Sequence, residues 1–334
     1  AENAAFVVEQ NLRYSRGESS YQVDVNEFAD LTNEEFMAPR SGKQDISHPE
    51  TTLAEVPPAS ASLAGMPDHF DWRDGSTAGS HTVVTKVNDQ GACGSCWAFS
   101  ATEALESAYA LATKTDAPRL STMEPVKCMA NPRQCGGQGG CRGATPQLFF
   151  NYTKNKGLSL ASSYPYHKPK QTAGCDQTKI KPAVTNTGFV SLPRNNYTAL
   201  MSALVNVGPI AISLAAKGKG WQLYKRGVYD GNCGWVQDHA VGLVGYGSQE
   251  VGIIIRKKVD YWLVRNSWGE RWGIKGYIHI KRFGEGKEPC GIDEHPRRGS
   301  ACAGDSKPRQ FCGMCAIMSD SSYPTGVGKV NSTE

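Results

Sequence analysis

The sequence predicts an α+β fold of two lobes that is preceded by a separate N-terminal segment. Three observations predict it: helix-forming residues follow Cys96, short β-rich stretches begin near residue 181, and residues 39–65 are rich in Pro, Ser and Ala without periodicity. A chain of 334 residues with 39% hydrophobic and 20% charged residues suits a globular protein of this size. A net charge of +4 without a long basic run argues against a nucleic-acid-binding protein. The apolar stretches are too short to span a bilayer.

The N-terminal residues predict two helices joined by a short strand. Residues 4–14 carry apolar side chains on one side, and residues 21–25 alternate like a strand. Thr32 and Glu35 have the spacing of a capping box, which begins a second helix. Residues 39–65 then predict an exposed linker where proteolytic nicking is expected. We therefore expect a mature protein that begins near residue 66.

The rest of the chain, residues 66–334, predicts a mainly helical lobe at 66–180 and a mainly β lobe at 181–334. In the helical lobe a long helix begins at Cys96, and two shorter helices follow it. The β lobe predicts one helix at residues 197–207. Its predicted strands are bounded by Gly, Pro or Asn and cover residues 187–192, 210–214, 239–246, 261–266 and 276–280.

Residues 90–100, which read QGACGSCWAFS, place a cysteine at the start of a helix. The free N–H groups and the positive dipole end of a helix N-terminus lower the pKa of a thiol, and the thiolate is the reactive form. Cys96 is therefore the candidate nucleophile, and the glycines before it would let a substrate backbone come close. The alternatives are that Cys93 and Cys96 form a CxxC redox pair or one half of a zinc site.

A thiol nucleophile needs a base, and the base needs a group that orients it. Among the seven histidines, His239 is the candidate base, because a strand-like stretch follows it and would hold its ring rigidly. Asn266, in the stretch YWLVRNSWG, is the candidate orienting group. Its amide can accept a hydrogen bond from one imidazole nitrogen, and Trp268 would shield that bond from water.

These motifs together resemble the papain-like cysteine proteases of the cathepsin L type: CGSCW around Cys96, His239 at 143 residues further on, and NSWG from Asn266. The resemblance implies a helical lobe plus a β-barrel-like lobe, with the active site in the cleft between them. It implies that Gln90 and the backbone N–H of Cys96 donate hydrogen bonds to the oxyanion, each worth ~3 kcal/mol. It also implies that Cys96 and His239 rest as a thiolate–imidazolium pair.

The N-terminal segment resembles the second half of the propeptide of cathepsin L-type zymogens. The resemblance rests on Asn26-x-Phe28-x-Asp30 and the LTNEEF that follows. Asp24 stands where that pattern usually has Gly, and the long first helix of such propeptides is mostly missing, so we expect a truncated pro-segment. An unrelated helical cap is the alternative. The resemblance implies that residues 1–65 block the cleft until they are cleaved off at acidic pH.

The resemblance also implies a site for an extended peptide. Gly143 and Ala144 stand where the family has two glycines that hydrogen-bond the peptide, and a positive φ at residue 144 would be costly for alanine. We call the pocket for the side chain one position before the scissile-bond residue the upstream pocket. Its polar lining predicts tolerance for polar or basic side chains. The predicted substrate-binding residues, with Asp320 at the pocket floor, also include Thr145, Pro146, Ser213, Gln237, Asp238 and Trp268.

Eleven cysteines predict five disulfides and one free thiol. The resemblance implies Cys93–Cys141, Cys128–Cys175, and Cys233 with Cys315, although Cys312 and Cys290 stay possible partners of Cys233. Residues 283–312 look like an insertion into the simple family pattern. It contains Cys290, Cys302 and Cys312, and with Cys135 these could form two further bridges. Their pairing stays open. A zinc site on Cys312 and Cys315 is disfavoured because no second cysteine pair lies nearby in sequence.

The cysteine count favours the secretory pathway. Three N-glycosylation sequons, at Asn151, Asn196 and Asn331, point the same way. A signal peptide is expected to have been removed. We expect the protein in the lysosome or vacuole or outside the cell.

The sequence therefore predicts a cysteine endopeptidase made as a zymogen. Its expected partners are polypeptide substrates, its own pro-segment and protein inhibitors of the cystatin type. We expect a monomer without cofactor, metal, nucleic-acid partner or membrane span. The rivals are a catalytically silent papain-like peptide-binding protein, a disulfide oxidoreductase that uses Cys93 and Cys96, and a peptide ligase of the same fold.

Overall fold

The computed structural model describes residues 2–40, 62–74, 79–167, 174–253, 256–305 and 307–330. Most of the predicted linker lies outside the described residues. The helices are α1 (Glu2–Ser15), α2 (Asn33–Met37), α3 (Cys96–Thr113), α4 (Met123–Cys128), α5 (Pro146–Lys156), α6 (Tyr197–Asn206) and α7 (Lys219–Gln222). The strands are β1 (Tyr21–Val23), β2 (Phe70–Asp71), β3 (Leu158–Ser159), β4 (Pro182–Thr185), β5 (Gly188–Ser191), β6 (Ile210–Leu214), β7 (Tyr224–Tyr229), β8 (His239–Val251), β9 (Lys257–Arg265), β10 (Tyr277–Lys281), β11 (Cys290–Asp293), β12 (Arg309–Cys312), β13 (Asp320–Thr325) and β14 (Gly328–Lys329).

Local side-chain chemistry sets where the helices begin. Thr32 forms a capping box at α2, since its hydroxyl accepts from Glu35 N at 3.2 Å and the Glu35 carboxylate accepts from Thr32 N at 2.8 Å. Thr145 caps α5 and Pro146 occupies its first position, where a missing N–H does no harm. Helix α3 ends at Thr113, and the following Lys114 adopts the left-handed conformation with φ of 56°.

The main sheet runs through both the N-terminal segment and the rest of the chain. Its order is β1-β7-β10-β9-β8-β6-β13-β5, with β2 added to the edge of β8. Strands β10 and β7 run parallel and the other pairs run antiparallel. Two small sheets stand apart, a β11–β12 hairpin and the order β14-β4-β3. Because β1 pairs with β7, the N-terminal segment is an edge strand of the main sheet.

Helix α3 packs against this sheet and is buried on nearly every side. The first nine residues of β8 are buried as well, which fits a strand covered on both faces. Ser100, one turn after the start of α3, donates its hydroxyl hydrogen bond to the carbonyl of Val241 on β8 at 2.7 Å. This bond brings the N-terminal turn of α3 against the N-terminal end of β8.

A buried ion pair also joins α3 to the sheet. The guanidinium of Arg265, the last residue of β9, lies 3.3 Å from the carboxylate of Glu103, and both side chains are buried. Thr85 contributes a hydroxyl oxygen that accepts from Arg265 at 3.2 Å. Burial raises the pKa of Glu103 to about 7, and the nearby Arg265 opposes that rise. The pair fixes the end of β9, which immediately precedes Asn266.

Several elements differ from the sequence predictions. The predicted helices at residues 4–14 and 197–207 correspond to α1 and α6, but β8 extends five residues beyond the predicted end at 246, to Val251. The sequence had not predicted β7, β11, β12 or β13. Each of these is held by pairing with a strand far away in sequence, or, for β11 and β12, by a disulfide between the two strands.

Candidate active site

Cys96 is the first residue of α3 and only 2% exposed. All eleven cysteines lie in the described residues, and Cys96 alone is outside a disulfide. Cys93 is bonded to Cys141, so Cys93 and Cys96 do not form a CxxC redox pair. That disulfide fixes the start of α3 to the Gly-rich loop, as does the bond from Gly94 N to the Cys141 carbonyl at 3.0 Å.

Side-chain hydrogen bonds of Ser95 and Tyr166 also lie at the start of α3. Ser95 makes no capping bond to the helix, and its hydroxyl lies 3.0 Å from the hydroxyl of Tyr166. The Tyr166 hydroxyl also donates to the Gln90 carbonyl at 2.9 Å. Burial, with the charges of Asp89 and Cys96 adding to it, raises the pKa of Tyr166 to about 12. Tyr166 is therefore a neutral hydrogen-bonding group beside Cys96, and the sequence had not singled it out.

His239 begins β8 and is fully buried. Its Nε2 lies 2.7 Å from Asn266 Oδ1, and Asn266 follows directly on β9, the neighbour of β8. The indole of Trp268 stacks on the imidazole with centroids 4.8 Å apart, and Trp221 meets the same ring edge-on at 6.5 Å. This arrangement ties Nε2 to Asn266 and keeps bulk water from that bond.

Gln90 bonds to Cys93, three residues before Cys96, and to Ser267, the residue after Asn266. Its backbone N–H donates to the Ser267 carbonyl at 2.8 Å, and its Oε1 accepts from the Ser267 hydroxyl at 2.6 Å. With Oε1 held, Nε2 points the other way and donates to the Cys93 carbonyl at 2.8 Å and to the Arg40 carbonyl at 3.3 Å. Ser267 orients the amide, a role that the sequence analysis missed although NSWG contains it.

Asp320 is the residue that the sequence analysis placed at the floor of the upstream pocket. Asp320, on β13, accepts from the Ser213 hydroxyl and from Gln147 Nε2, each at 2.6 Å. Gln147 is the second residue of α5, so its bond to Asp320 joins the helical lobe to the β lobe. The sequence analysis had not predicted this bond. The side-chain amide of Gln237 donates to the carbonyls of Ser213 at 3.0 Å and of Ala316 at 3.2 Å.

The remaining predicted substrate-binding residues are Gly143, Ala144, Asp238 and Trp268. Gly143 has φ of 82°, which favours glycine, whereas Ala144 is not among the residues with positive φ, so its methyl carries no such strain. Asp238 accepts from the backbone N–H of Ala216 at 2.8 Å and ties the loop after β6 to the start of β8. Trp268 stacks on His239, the shielding position that the sequence analysis gave it.

A cysteine at a helix start, a histidine–asparagine pair and a glutamine donor are the parts of a thiol protease site. A sequence profile of the papain family cysteine proteases matches residues 66–299. The chain belongs to the papain family of cysteine proteases. The profile of the cathepsin propeptide inhibitor domain (I29) matches residues 1–36.

Relatives of known name agree with this papain-family membership. The cysteine protease Amb a 11.0101 of Ambrosia artemisiifolia is 37% identical over 287 residues, which are 82% of this chain and 68% of that protein. Procathepsin L of Mus musculus is 35% identical over 293 residues, covering 87% of this chain and 81% of that protein.

Solved structures of proforms share the fold. The proform of the Amb a 11 cysteine protease, a ragweed pollen allergen, superposes with a TM-score of 0.74 at 30% identity and covers 100% of this chain and 87% of that chain. Digestive procathepsin L2 of Tenebrio molitor larval midgut gives a TM-score of 0.74 at 28% identity, covering 97% of this chain and 90% of the other. The predicted papain-like α+β fold and cysteine endopeptidase class are confirmed.

The propeptide domain of this papain-family protein is an intramolecular inhibitor, and its last turn reaches the site. Phe36, which is fully buried, meets Trp268 edge-on with centroids 4.9 Å apart. The guanidinium of Arg40 lies over the Phe36 ring at 4.5 Å and over the Phe28 ring at 4.8 Å. The carbonyl of Arg40 thus arrives at Gln90 Nε2, the amide that the sequence analysis assigned to the oxyanion.

The protease carries no candidate for a metal ion or a membrane span in the ranges that the structure covers. Within those ranges, no group of three or more His, Cys, Asp or Glu side chains could hold a metal ion. No helix there is both long and apolar enough to cross a bilayer.

Proposed function

We propose that Cys96 and His239 form the catalytic pair of a cysteine endopeptidase that is held inactive by residues 1–40. The observation that carries the proposal is the buried bond between His239 Nε2 and Asn266 Oδ1 at 2.7 Å, under the indole of Trp268. With Nε2 tied to Asn266, we infer that Nδ1 is the nitrogen that exchanges its proton with Cys96, the one cysteine outside a disulfide. A thiolate there gains from the helix dipole and from an imidazolium neighbour.

In the proposed reaction, the Cys96 thiolate attacks the carbonyl carbon of the peptide bond, and the carbonyl oxygen becomes an oxyanion. Gln90 Nε2 and the backbone N–H of Cys96 donate to that oxyanion. The His239 imidazolium gives its Nδ1 proton to the leaving amine, and a thioester remains. His239 then takes a proton from water, the hydroxide attacks the thioester carbon, and the carboxylic acid leaves as the thiolate is restored.

The pro-segment supports the zymogen part of the proposal through its charges. Glu2 and Glu27 on the pro-segment form ion pairs with Lys219 and Arg271 of the mature part. The hydrogen bond and charge of Lys219 lower the pKa of Glu2. A carboxyl with a lowered pKa stabilises the docked state above its ordinary pKa and loses that contribution as pH falls through the lowered value. Acid therefore weakens the docked pro-segment.

Activity on a fluorogenic dipeptide amide, before and after acid incubation, tests the proposal. We expect little activity in the intact chain and a large rise once residues up to about 65 are cleaved off, with none in Cys96→Ala treated in the same way. Activity in the intact chain would show that the pro-segment does not inhibit. If the protein without residues 1–65 cleaves no peptide, the alternative of a silent peptide-binding protein replaces the protease.

The acidic floor of the upstream pocket predicts acceptance of a basic side chain. The two donors to Asp320, Ser213 and Gln147, are uncharged and do not neutralise its carboxylate. We expect Asp320→Asn to lower the ratio of kcat/KM for arginine over leucine at that position by about tenfold. Asp116→Asn, at an exposed position in the segment after α3, is the matched control. A wild-type enzyme that accepts only leucine or phenylalanine there would contradict the prediction.

The remaining proposals concern location and partners. Asn151 and Asn196 are exposed, as glycosylation requires, whereas Asn331 lies outside the described residues. With five disulfides, they support a secreted, lysosomal or vacuolar protein. We further propose that the mature enzyme is a monomer that cystatin-type inhibitors bind at the cleft vacated by the pro-segment.

A further inference from the structure

The insertion at residues 283–312 crosses from one lobe to the other. It contains the β11–β12 hairpin, which the Cys290–Cys312 disulfide closes. Between the two strands, residues 299–303 form a segment that we call the strap. Gly299, Ala301 and Ala303 of the strap are buried. The strap packs on both lobes, against Gln237 of the β lobe and Cys135 of the helical lobe.

On the β lobe, the strap contacts the residue that precedes Asp238 and His239. The hydroxyl of Ser300 donates to Gln237 Oε1 at 2.8 Å. A Cβ added to Gly299 would lie 3.2 Å from the Gln237 carbonyl, so the two backbones are close. Gln237 is fully buried and holds the carbonyl of Ser213 in the wall of the upstream pocket. The strap therefore rests on the β-lobe wall of the cleft.

On the helical lobe, the strap is bound to the Gly-rich loop before Gly143. Cys302 forms a disulfide with Cys135. On either side of it, Gly136 N donates to the Ala301 carbonyl at 3.0 Å, and Ala303 N donates to the Arg133 carbonyl at 3.1 Å. Gly136 in turn lies against Ala144, since a Cβ on Gly136 would be 2.5 Å from the Ala144 carbonyl oxygen.

The Cys135–Cys302 disulfide differs from the other four in what it joins. Cys93–Cys141 and Cys128–Cys175 lie within the helical lobe, and Cys233–Cys315 and Cys290–Cys312 lie within the β lobe. Cys135 and Cys302 are 167 residues apart and connect one wall of the cleft to the other. The connection lies beside Ala144 and Gln237, on the side of the cleft assigned to the peptide before the scissile bond.

We propose that the strap closes the upstream end of the cleft, so that the enzyme engages substrates through the scissile-bond residue and the one before it, and not through residues further upstream. This inference rests on the proposed function. The Gly136 backbone N–H, which an extended peptide passing along the loop would otherwise meet, already donates to the strap. A residue beyond the upstream pocket meets the strap instead of an open groove.

A strapless variant follows from the hairpin register. Asp293 pairs directly with Arg309, so residues 294–308 can be replaced by Asn-Gly, which forms a two-residue hairpin turn. Cys135→Ser removes the thiol left behind. The substrates are peptide amides of two, three and four residues with the same two residues before the scissile bond.

We expect kcat/KM of the enzyme without its pro-segment to stay level or fall as the peptide lengthens. In the strapless variant it should rise by about tenfold from two to four residues, because backbone hydrogen bonds to the added residues become available. A wild-type kcat/KM that rises with length as steeply as in the strapless variant would overturn the proposal.

Two double variants separate the effect of the disulfide from that of the strap. Cys135→Ser/Cys302→Ser leaves the strap in place but untied, and should show a partial rise with length, whereas Cys128→Ser/Cys175→Ser, which removes a disulfide within one lobe, should keep the wild-type profile. If no variant cleaves any peptide, the proposed function fails. The strap is then judged by fluorescence anisotropy with the same peptides and Cys96→Ala: affinity independent of length upholds it, and affinity that rises with length overturns it.

Discussion

Replacing His239 by alanine is expected to lower kcat/KM for a peptide amide by roughly 10,000-fold. The loss is large because one side chain both stabilises the Cys96 thiolate and donates the proton to the leaving amine. Asn266→Ala should cost less, since the imidazole remains and loses only the acceptor at 2.7 Å from its Nε2. Steady-state kinetics on the protein without its pro-segment measure both effects.

A second histidine provides the control for this experiment. His279, on β10, stacks on Tyr261 with centroids 3.8 Å apart and has Nδ1 at 2.6 Å from Gln249 Oε1. Burial lowers its pKa to about 4, so it is a neutral packing residue at most pH values. His279→Ala should retain activity in the fraction that folds. A His239→Ala enzyme with more than a tenth of the wild-type kcat/KM would contradict the assignment.

The second large effect concerns the pro-segment. Phe36→Ala in the full chain is expected to release activity without acid incubation. The Phe36 ring is fully buried between Trp268, Phe28 and the Arg40 guanidinium. Truncating such a ring costs ~3–5 kcal/mol, which weakens docking of the pro-segment by roughly 100-fold or more. The measurement is the fraction of full activity before any cleavage of the chain.

Gln222→Ala, in the mature part of the chain, should also release activity without acid incubation. Gln222 Nε2 donates to the carbonyls of Phe28 at 2.7 Å and of Leu31 at 2.9 Å, so Gln222→Ala leaves both without that donor. Val8→Ala is the matched control, because Val8 is 62% exposed on α1. A Phe36→Ala chain that stays as inactive as wild type would show that the aromatic contact does not hold the pro-segment in the cleft.

Local sequence was sufficient for the parts of the site that depend on nearby residues. The capping box of Thr32 and the helix start at Cys96 involve residues a few positions apart, and α2 and α3 begin there. His239 and Asn266 come together because β8 and β9 pair antiparallel, with Gly242 opposite Arg265. The sequence suggested the two residues, and the strand pairing accounts for their contact.

Long-range pairing explains what the sequence did not predict. Strand β7 reads YKRGVY, and its Gly227 looks like a break in a strand. Yet φ there is 90°, and a Cβ would lie 2.4 Å from the Ser20 carbonyl oxygen, so glycine is needed where β1 approaches from the pro-segment. The partners of Cys135 and Asp320, Cys302 and Gln147, likewise lie 167 and 173 residues away in sequence. No local pattern encodes such contacts.

Cys96 and His239 are proposed to work as one ion pair, and the pH dependence of Cys96 alkylation tests that pair. In the protein freed of its pro-segment, the rate constant for iodoacetamide should stay high far below the pKa of about 8.5 of an ordinary thiol. In His239→Ala it should rise only as the pH approaches that value. Identical pH profiles for the two proteins would contradict the ion pair, and with it the mechanism.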